Sequence, residues 1–132
     1  MLSMREIYQW AIGVWGQVPE LARLMTAIAW QESSGNPEAE GVAGEVGLWQ
    51  IHPMHWDVNH PEYDPAANLS GAGVVVSNTP EDIRLELQDP WANLQAAIWV
   101  GEETTNTDWF DLTRWTAYKS GDYEQYLPEV DE

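Results

Sequence analysis

Residues 19–37 read PELARLMTAIAWQESSGNP, and their pattern is typical of the central helix of a mainly helical domain. Apolar residues recur through this stretch at helical spacing, and the SSGNP run ends the periodic segment. At about 100° per residue, Met25, Ile28 and Glu32 all fall within about 40° of Leu21 around the helix axis. The sequence therefore predicts a buried helix that carries a carboxylate in its apolar stripe, near its C-terminal end.

The position of Glu32 makes its charged form unfavourable. Burial disfavours an ionised carboxylate, and so does the negative end of the helix dipole, so both raise the pKa of Glu32. A carboxyl group that stays protonated near neutral pH can act as a general acid. The alternative is that Glu32 only marks the helix end and turns to solvent, because helix boundaries are uncertain by a residue or two.

Three further helices are predicted around this one. The first begins at the capping box of Ser3 and Glu6 and ends at Gly16. A second begins at an Asp–Pro pair and covers residues 89–101. The last covers residues 108–119, and residues 123–127 add a short turn.

The segment between these helices has a different character. Glycine and proline interrupt residues 38–67, which predicts loops with a small hairpin. Residues 73–76, GVVV, are apolar and β-branched and form a candidate strand. The predicted class is mainly α, as one domain over residues 1–132, with an irregular lobe inserted after the second helix.

The charge of the chain limits its partners. Its 132 residues include 22 Asp and Glu against 5 Lys and Arg, a formal net charge of -17. Nucleic acid and anionic lipid would both be repelled, and no apolar run approaches the ~20 residues of a membrane span. The acidity fits either a cationic partner or life in high salt, where a hydrated acidic surface keeps a protein soluble. We favour salt, because no compact acidic run marks a docking face.

Four motifs follow one another in the order of a known family. They are AWQES with the following Asn–Pro pair at 29–37, GEVGLWQI at 44–51, DPWANLQAA at 89–97 and WTAYKSG at 115–121. Together they resemble the lytic transglycosylase (SLT) domain of the lysozyme-like superfamily, closest to the form in phage virion and tail lysozyme-like domains. The resemblance implies an α+β lysozyme-like fold: a helical bundle around a buried catalytic helix, with the small irregular or β lobe forming a glycan cleft.

The resemblance also implies a reaction. Glu32 would be the single catalytic acid/base, acting on the β-1,4 bond between MurNAc and GlcNAc of peptidoglycan. In a lytic transglycosylase the C6 hydroxyl of the sugar then attacks and closes a 1,6-anhydro ring. In a lysozyme water attacks, usually with the help of a second carboxylate. Glu45 is our candidate for that carboxylate, with Asp57 and Asp64 in the same lobe.

Five more residues are expected to bind substrate by the same resemblance. Ser33, Gln50 and Tyr118 match family positions near the catalytic acid, and Tyr118 would donate a hydrogen bond to it. Trp49 stands where the family commonly has Met and would stack on a sugar face. Lys119 departs from the family's Asn and would bind peptide carboxylates. The alternatives are a helix-terminal hydroxyl for Ser33, core packing for the two aromatics and a helix cap for Lys119.

Three histidines near one another raise the question of a metal. His52, His55 and His60, with Asp57 among them, offer nitrogen and oxygen ligands. Two prolines break the segment, however, and no regular i, i+4 spacing is present. We therefore expect polar loop histidines, no metal and no cofactor.

The sequence thus predicts a peptidoglycan-cleaving glycosidase of phage or viral origin that works as a monomer at the cell wall. The N-terminus lacks the cationic and apolar regions of a signal peptide. We therefore expect carriage in a virion, release through a holin, or a place in a larger delivered protein. The alternatives are a non-catalytic glycan-binding or virion structural module on the same fold, and an acidic inhibitor that mimics a polyanion.

Overall fold

The computed structural model describes residues 1–103 and 112–130, and within these ranges the chain is mainly helical, as predicted. The α-helices are α1 (Met4–Trp15), α2 (Pro19–Ser33), α3 (Pro80–Glu86), α4 (Pro90–Glu103), α5 (Thr116–Ser120) and α6 (Leu127–Val130). Short 3-10 helices lie at Pro53–His55, Leu112–Arg114 and Asp122–Tyr126. Extended pairing in the described ranges consists of two isolated antiparallel bridges, Glu40 with Val46 and Val46 with Ile51.

Helix α1 forms where its capping signals predict it. The Ser3 hydroxyl accepts the Glu6 N–H at 3.1 Å, and the Glu6 carboxylate accepts the Ser3 N–H at 3.0 Å. Both bonds satisfy backbone donors that a helix start otherwise leaves open. Ile7 and Ala11 are fully buried, and α1 packs against α2 through this face.

Helix α2 is the central element of the fold. It contacts α1, α5, α6 and the 3-10 helix Asp122–Tyr126. Six of its residues are fully buried: Ala22, Met25, Thr26, Ala27, Ile28 and Ala29. Its C-cap is Ser34, whose φ of 53° is left-handed, followed by Gly35 with φ 81°. A Cβ on Gly35 would lie 2.2 Å from the Leu2 carbonyl oxygen, so only glycine allows the chain to turn this close to the N-terminal segment.

The side chain of Asn93 on α4 fixes the loop that follows α2. Its Oδ1 accepts the Trp49 N–H at 2.8 Å, and its Nδ2 donates at 2.9 Å to the carbonyls of Val46 and Leu87. Gly47 lies directly against this amide, and a Cβ there would be 2.1 Å from Nδ2. Asn93 is fully buried, so these bonds replace the water that loop backbone normally binds. They position residues 44–51 beside the end of α2.

Several predicted elements are wrong in detail. Residues 73–76 form a turn, a bend and irregular backbone rather than a strand. The Val76 N–H bonds to the Glu86 carboxylate instead of a neighbouring strand. The predicted helix over 108–119 is not continuous: Trp115 is extended, at φ -110° and ψ 129°, and divides the 3-10 helix before it from α5. Residues 108–111 of that prediction lie outside the described residues.

Two helices differ from the prediction in extent. Helix α4 does not end at Gly101 but continues to Glu103, and α3 was not predicted at all. The N-cap of α3 is Thr79, whose hydroxyl accepts the Asp82 N–H at 3.2 Å. No helix in the described ranges has the length and apolar character needed to cross a membrane.

Candidate active site

A small polar pocket lies where the C-terminal end of α2, the loop over residues 41–52 and the segment before α5 meet. Its lining residues are Glu32, Glu45, Gln50, His52, Arg114 and Trp115. The enclosed volume is about 70 Å³, below the ~300–1,000 Å³ of pockets that enclose a small-molecule ligand. The pocket is thus large enough only for the groups immediately around Glu32 and Glu45. A longer glycan cleft stays a prediction.

Glu32 is half-buried in this pocket, one residue before the end of α2. Its Oε1 accepts the backbone N–H of Ala117 at 3.3 Å, in the first turn of α5. Burial raises the pKa of Glu32 above its ordinary value, and the negative charge of Glu45 raises it further, while the Ala117 N–H acts in the opposite direction. The rise has the direction predicted from the sequence. Burial and Glu45 thus favour the protonated form of the Glu32 carboxyl group. The Ala117 N–H remains available as a hydrogen-bond donor to its ionised form.

Glu45 and Gln50 form the wall of the pocket opposite α2. Gln50 has a left-handed φ of 47°, and its Nε2 donates at 3.0 Å to the carbonyls of Ala39 and Gly47. Glu45 accepts a nearby backbone N–H through Oε1 at 2.8 Å. Both Oε1 atoms lie against Gly41, where a Cβ would be 2.6 Å from that of Glu45 and 2.7 Å from that of Gln50. The missing side chain of Gly41 lets the two groups share this site.

Trp49 lies in the core and not at the pocket surface. It is fully buried, its Nε1 donates to the Met25 carbonyl at 2.9 Å, and its ring meets Trp15 edge-on at 6.5 Å. Trp49 therefore does not have the exposed ring face that the expected stacking on a sugar requires. Trp115 is the tryptophan that lines the pocket, and its Nε1 donates to the Trp49 carbonyl at 2.8 Å.

The other three residues expected to bind substrate do not line the pocket. The Ser33 hydroxyl is turned back to the Ala29 carbonyl at 2.8 Å and is buried, as its helix-terminal alternative predicts. The Tyr118 ring is half-buried and stacks on Tyr123, with centroids 5.4 Å apart. Lys119 is exposed. The WTAYKSG motif instead reaches Glu32 through the backbone N–H of Ala117.

The histidines occupy different environments. His52 and His60 meet edge-on with ring centroids 5.2 Å apart, and each Nδ1 accepts a backbone N–H two residues ahead. His55 is buried against Trp99, and burial lowers its pKa to about 4, with smaller effects from the charges of Arg114 and His52. In the described ranges no three histidine, aspartate or glutamate side chains come together in a group that could hold a metal.

Arg114 and His52 line the pocket but were not identified as site residues from the sequence. Arg114 is 82 positions after Glu32, so only the folded chain brings them together. The sequence contained one signal for Arg114, because bases are scarce in this acidic chain. The structure adds that two of the other bases form surface ion pairs, Arg23 with Glu20 and Arg84 with Glu81 and Glu40. Arg114 is thus a cation placed beside two carboxylates in the pocket, and a guanidinium is a group that can bind an anion.

Comparison with known proteins adds one match. The family model described as the transglycosylase SLT domain matches residues 16–124. Comparisons with curated proteins and with solved structures gave no significant match. The matched range contains all six residues that line the pocket, whereas α1 precedes it.

Proposed function

Because this chain belongs to the transglycosylase SLT family, we propose that it cleaves the β-1,4 bond between MurNAc and GlcNAc with Glu32 as general acid and base. The family consists of lytic transglycosylases, so the chain is a glycoside-cleaving enzyme of that type and peptidoglycan is its substrate. The observation that carries the role of Glu32 is its place in the polar pocket with a raised pKa. That combination is typical of a general acid.

The reaction follows from the two protonation states of Glu32. The protonated carboxyl donates its proton to the glycosidic oxygen, the C1–O bond breaks and positive charge develops at C1. The Glu32 carboxylate, which the Ala117 N–H stabilises, then accepts the proton of the C6 hydroxyl as that oxygen attacks C1. The product is a 1,6-anhydro ring, and Glu32 returns to its protonated form for the next cycle.

Glu45 has two supporting effects in this proposal. Its negative charge raises the pKa of Glu32 and so keeps the acid protonated. The same charge lies in the pocket where positive charge develops on the sugar and stabilises it there. If Glu45 also positions a water molecule, water replaces the C6 hydroxyl as nucleophile and the enzyme produces reducing ends.

The remaining polar groups of the pocket contact the substrate. Gln50 presents its carbonyl oxygen, since its amide nitrogen is already bonded to backbone. The Arg114 guanidinium binds a carboxylate of the lactyl group or the stem peptide of peptidoglycan. Lys119, exposed on α5, offers a second cation for such carboxylates. The Ser33 hydroxyl and the Trp49 indole bond to backbone carbonyls and the Tyr118 ring stacks on Tyr123, so we assign none of the three a substrate contact in this proposal.

We also propose the setting in which the enzyme works. It acts as a monomer at the cell wall, carried in a virion, released through a holin or delivered within a larger protein. The phage-like WTAYKSG motif supports a viral origin. The net charge of -17 supports a saline habitat, because salt screens the repulsion between the enzyme and an anionic wall.

Product analysis tests the proposal. Purified peptidoglycan is incubated with the protein over a range of salt concentrations, and the released fragments are identified by mass spectrometry. We expect 1,6-anhydro ends, and no products from Glu32→Gln. Reducing ends that disappear in Glu45→Gln would assign hydrolysis instead. Binding to peptidoglycan without turnover at any salt or pH would favour the non-catalytic glycan-binding module.

A further inference from the structure

The tryptophans of this chain divide into two groups by burial. Six of the eight in the described ranges are buried or half-buried: Trp15, Trp30, Trp49, Trp56, Trp99 and Trp115. The other two, Trp10 and Trp91, are 37% and 52% exposed. They are 81 positions apart in sequence, on α1 and α4, yet their ring centroids are only 5.8 Å apart. The fold thus brings together the two exposed indoles, and such a patch indicates an interaction site.

The two indoles line an open groove. Their planes are inclined by 49°, and Gln9, Gly13 and Val14 complete the groove on the α1 side. Its volume is about 490 Å³, within the ~300–1,000 Å³ of small-ligand sites. Gly13 lies inside α1, where glycine is unfavourable, and a Cβ at this position would meet no atom within 4 Å. No packing contact therefore requires the glycine, and a Cβ at this position would lie in open space.

The groove is separate from the pocket around Glu32. The two share no lining residue. Four of the five groove residues belong to α1, which precedes the range matched by the family model: Gln9, Trp10, Gly13 and Val14. The cleavage reaction therefore does not account for the exposed indoles.

The composition of the groove selects the kind of occupant. None of its lining side chains is ionisable, so it offers no partner for a charged ligand. Nucleic acid and a second copy of the chain are both disfavoured, because each would bring further negative charge to a protein of net charge -17. A neutral pyranose fits better: its C–H face packs on an indole, and the Gln9 amide can both donate to and accept from its polar substituents.

We propose that Trp10, Trp91 and Gln9 form a second glycan-binding site that takes the neutral N-acetylglucosamine units of a β-1,4-linked glycan. This inference rests on the proposed function for the source of the sugar, which is the same polymer that Glu32 cleaves. A site that holds one part of the polymer raises the effective concentration of the rest at the catalytic pocket.

The test is a titration of the ¹⁵N-labelled Glu32→Gln protein with chitotriose, followed by the indole Nε1–H signals in NMR spectra. The signals of Trp10 and Trp91, assigned from single Phe variants, are expected to shift together and to saturate. Trp91→Ala is expected to weaken this binding about tenfold, in the range found for central tryptophans of binding sites. Leu85→Ala, which removes an exposed apolar side chain on α3, is the matched control and leaves the binding unchanged.

Two results would overturn the proposal. One is the absence of any shift at Trp10 and Trp91 up to millimolar chitotriose. The other is a shift with protein concentration alone, together with a dimer in sedimentation that Trp91→Ala dissociates, because the groove would then bind a second copy of the chain. Retained cleavage of peptidoglycan by Glu32→Gln would instead refute the proposed function, so the two failures are distinguishable.

Discussion

Replacement of Asn93 by alanine removes the side chain that holds the loop of residues 44–51 beside α2. The truncated residue leaves three backbone groups without their partner: the N–H of Trp49 and the carbonyls of Val46 and Leu87. Asn93 itself is fully buried, so water cannot reach these groups without opening the fold. The loop carries Glu45 and Gln50, so activity is expected to fall together with stability.

The size of the effect follows from the three orphaned groups. A buried polar group that loses its partner costs ~1–3 kcal/mol. Taking the lower end for each, because the cavity allows some relaxation, Asn93→Ala is expected to lower the free energy of unfolding by about 3 kcal/mol. That is a large part of the ~5–15 kcal/mol of a typical domain, and it corresponds to a fall in Tm of about 10 °C.

Urea unfolding followed by tryptophan fluorescence, with calorimetry for Tm, measures the effect. Asn59→Ala is the matched control, because Asn59 is exposed on a loop, and a surface substitution of this kind changes stability by less than ~0.5 kcal/mol. Gly47→Ala is a second perturbation of the same contact, since its Cβ would meet the Asn93 amide at 2.1 Å. An Asn93→Ala protein as stable as the Asn59→Ala control would refute the role assigned to this amide.

Three further predictions concern pH and salt. Because the pKa of Glu32 is raised in the fold, its ionisation destabilises the folded state above that pKa. Glu32→Gln should therefore unfold at a higher urea concentration than the unaltered protein at pH 8 and lose this advantage toward pH 4; equal midpoints at pH 8 would contradict it. The pKa of His55 is lowered from 6.5 to about 4, so the stability contributed by its neutral form is complete above pH 6.5 and falls by about 3 kcal/mol toward pH 4. His55→Leu should remove most of this pH dependence, measured by urea unfolding, and an unchanged slope would count against it. Finally, the rate of peptidoglycan release should rise with NaCl in a turbidity assay, because screening weakens repulsion by the net charge of -17; a maximum at low salt would remove this explanation of the acidity.

The sequence predicts α1 and α2 well because their signals are local. These signals lie within or directly beside the helices that they define. They are the Ser3–Glu6 capping box, the helical spacing through α2 and the glycines that follow each helix. The same reasoning places Glu32 at the end of α2. It could not predict that the first turn of α5 supplies a donor to Glu32, since that contact joins residues 85 positions apart.

The predictions that failed depended on contacts distant in sequence. Trp49 is next to a pocket residue, Gln50, but its indole turns into the core toward Met25. Residues 73–76 have the composition of a strand, but no strand in the described part of the chain pairs with them, and Val76 bonds to Glu86 instead. The helix predicted through Trp115 breaks there because the indole is fixed to the Trp49 carbonyl. In each case tertiary contacts override local preference.

The role of Glu32 as general acid is tested by the rate of glycosidic bond cleavage in purified peptidoglycan, measured for the unaltered protein and for Glu32→Gln. Both are assayed at the salt concentration of highest activity, and folding of the variant is confirmed by circular dichroism. We expect Glu32→Gln to lower the rate by at least ~100-fold, the scale of general acid–base catalysis. A folded Glu32→Gln protein that cleaves at a rate within a few-fold of the unaltered enzyme would contradict the account.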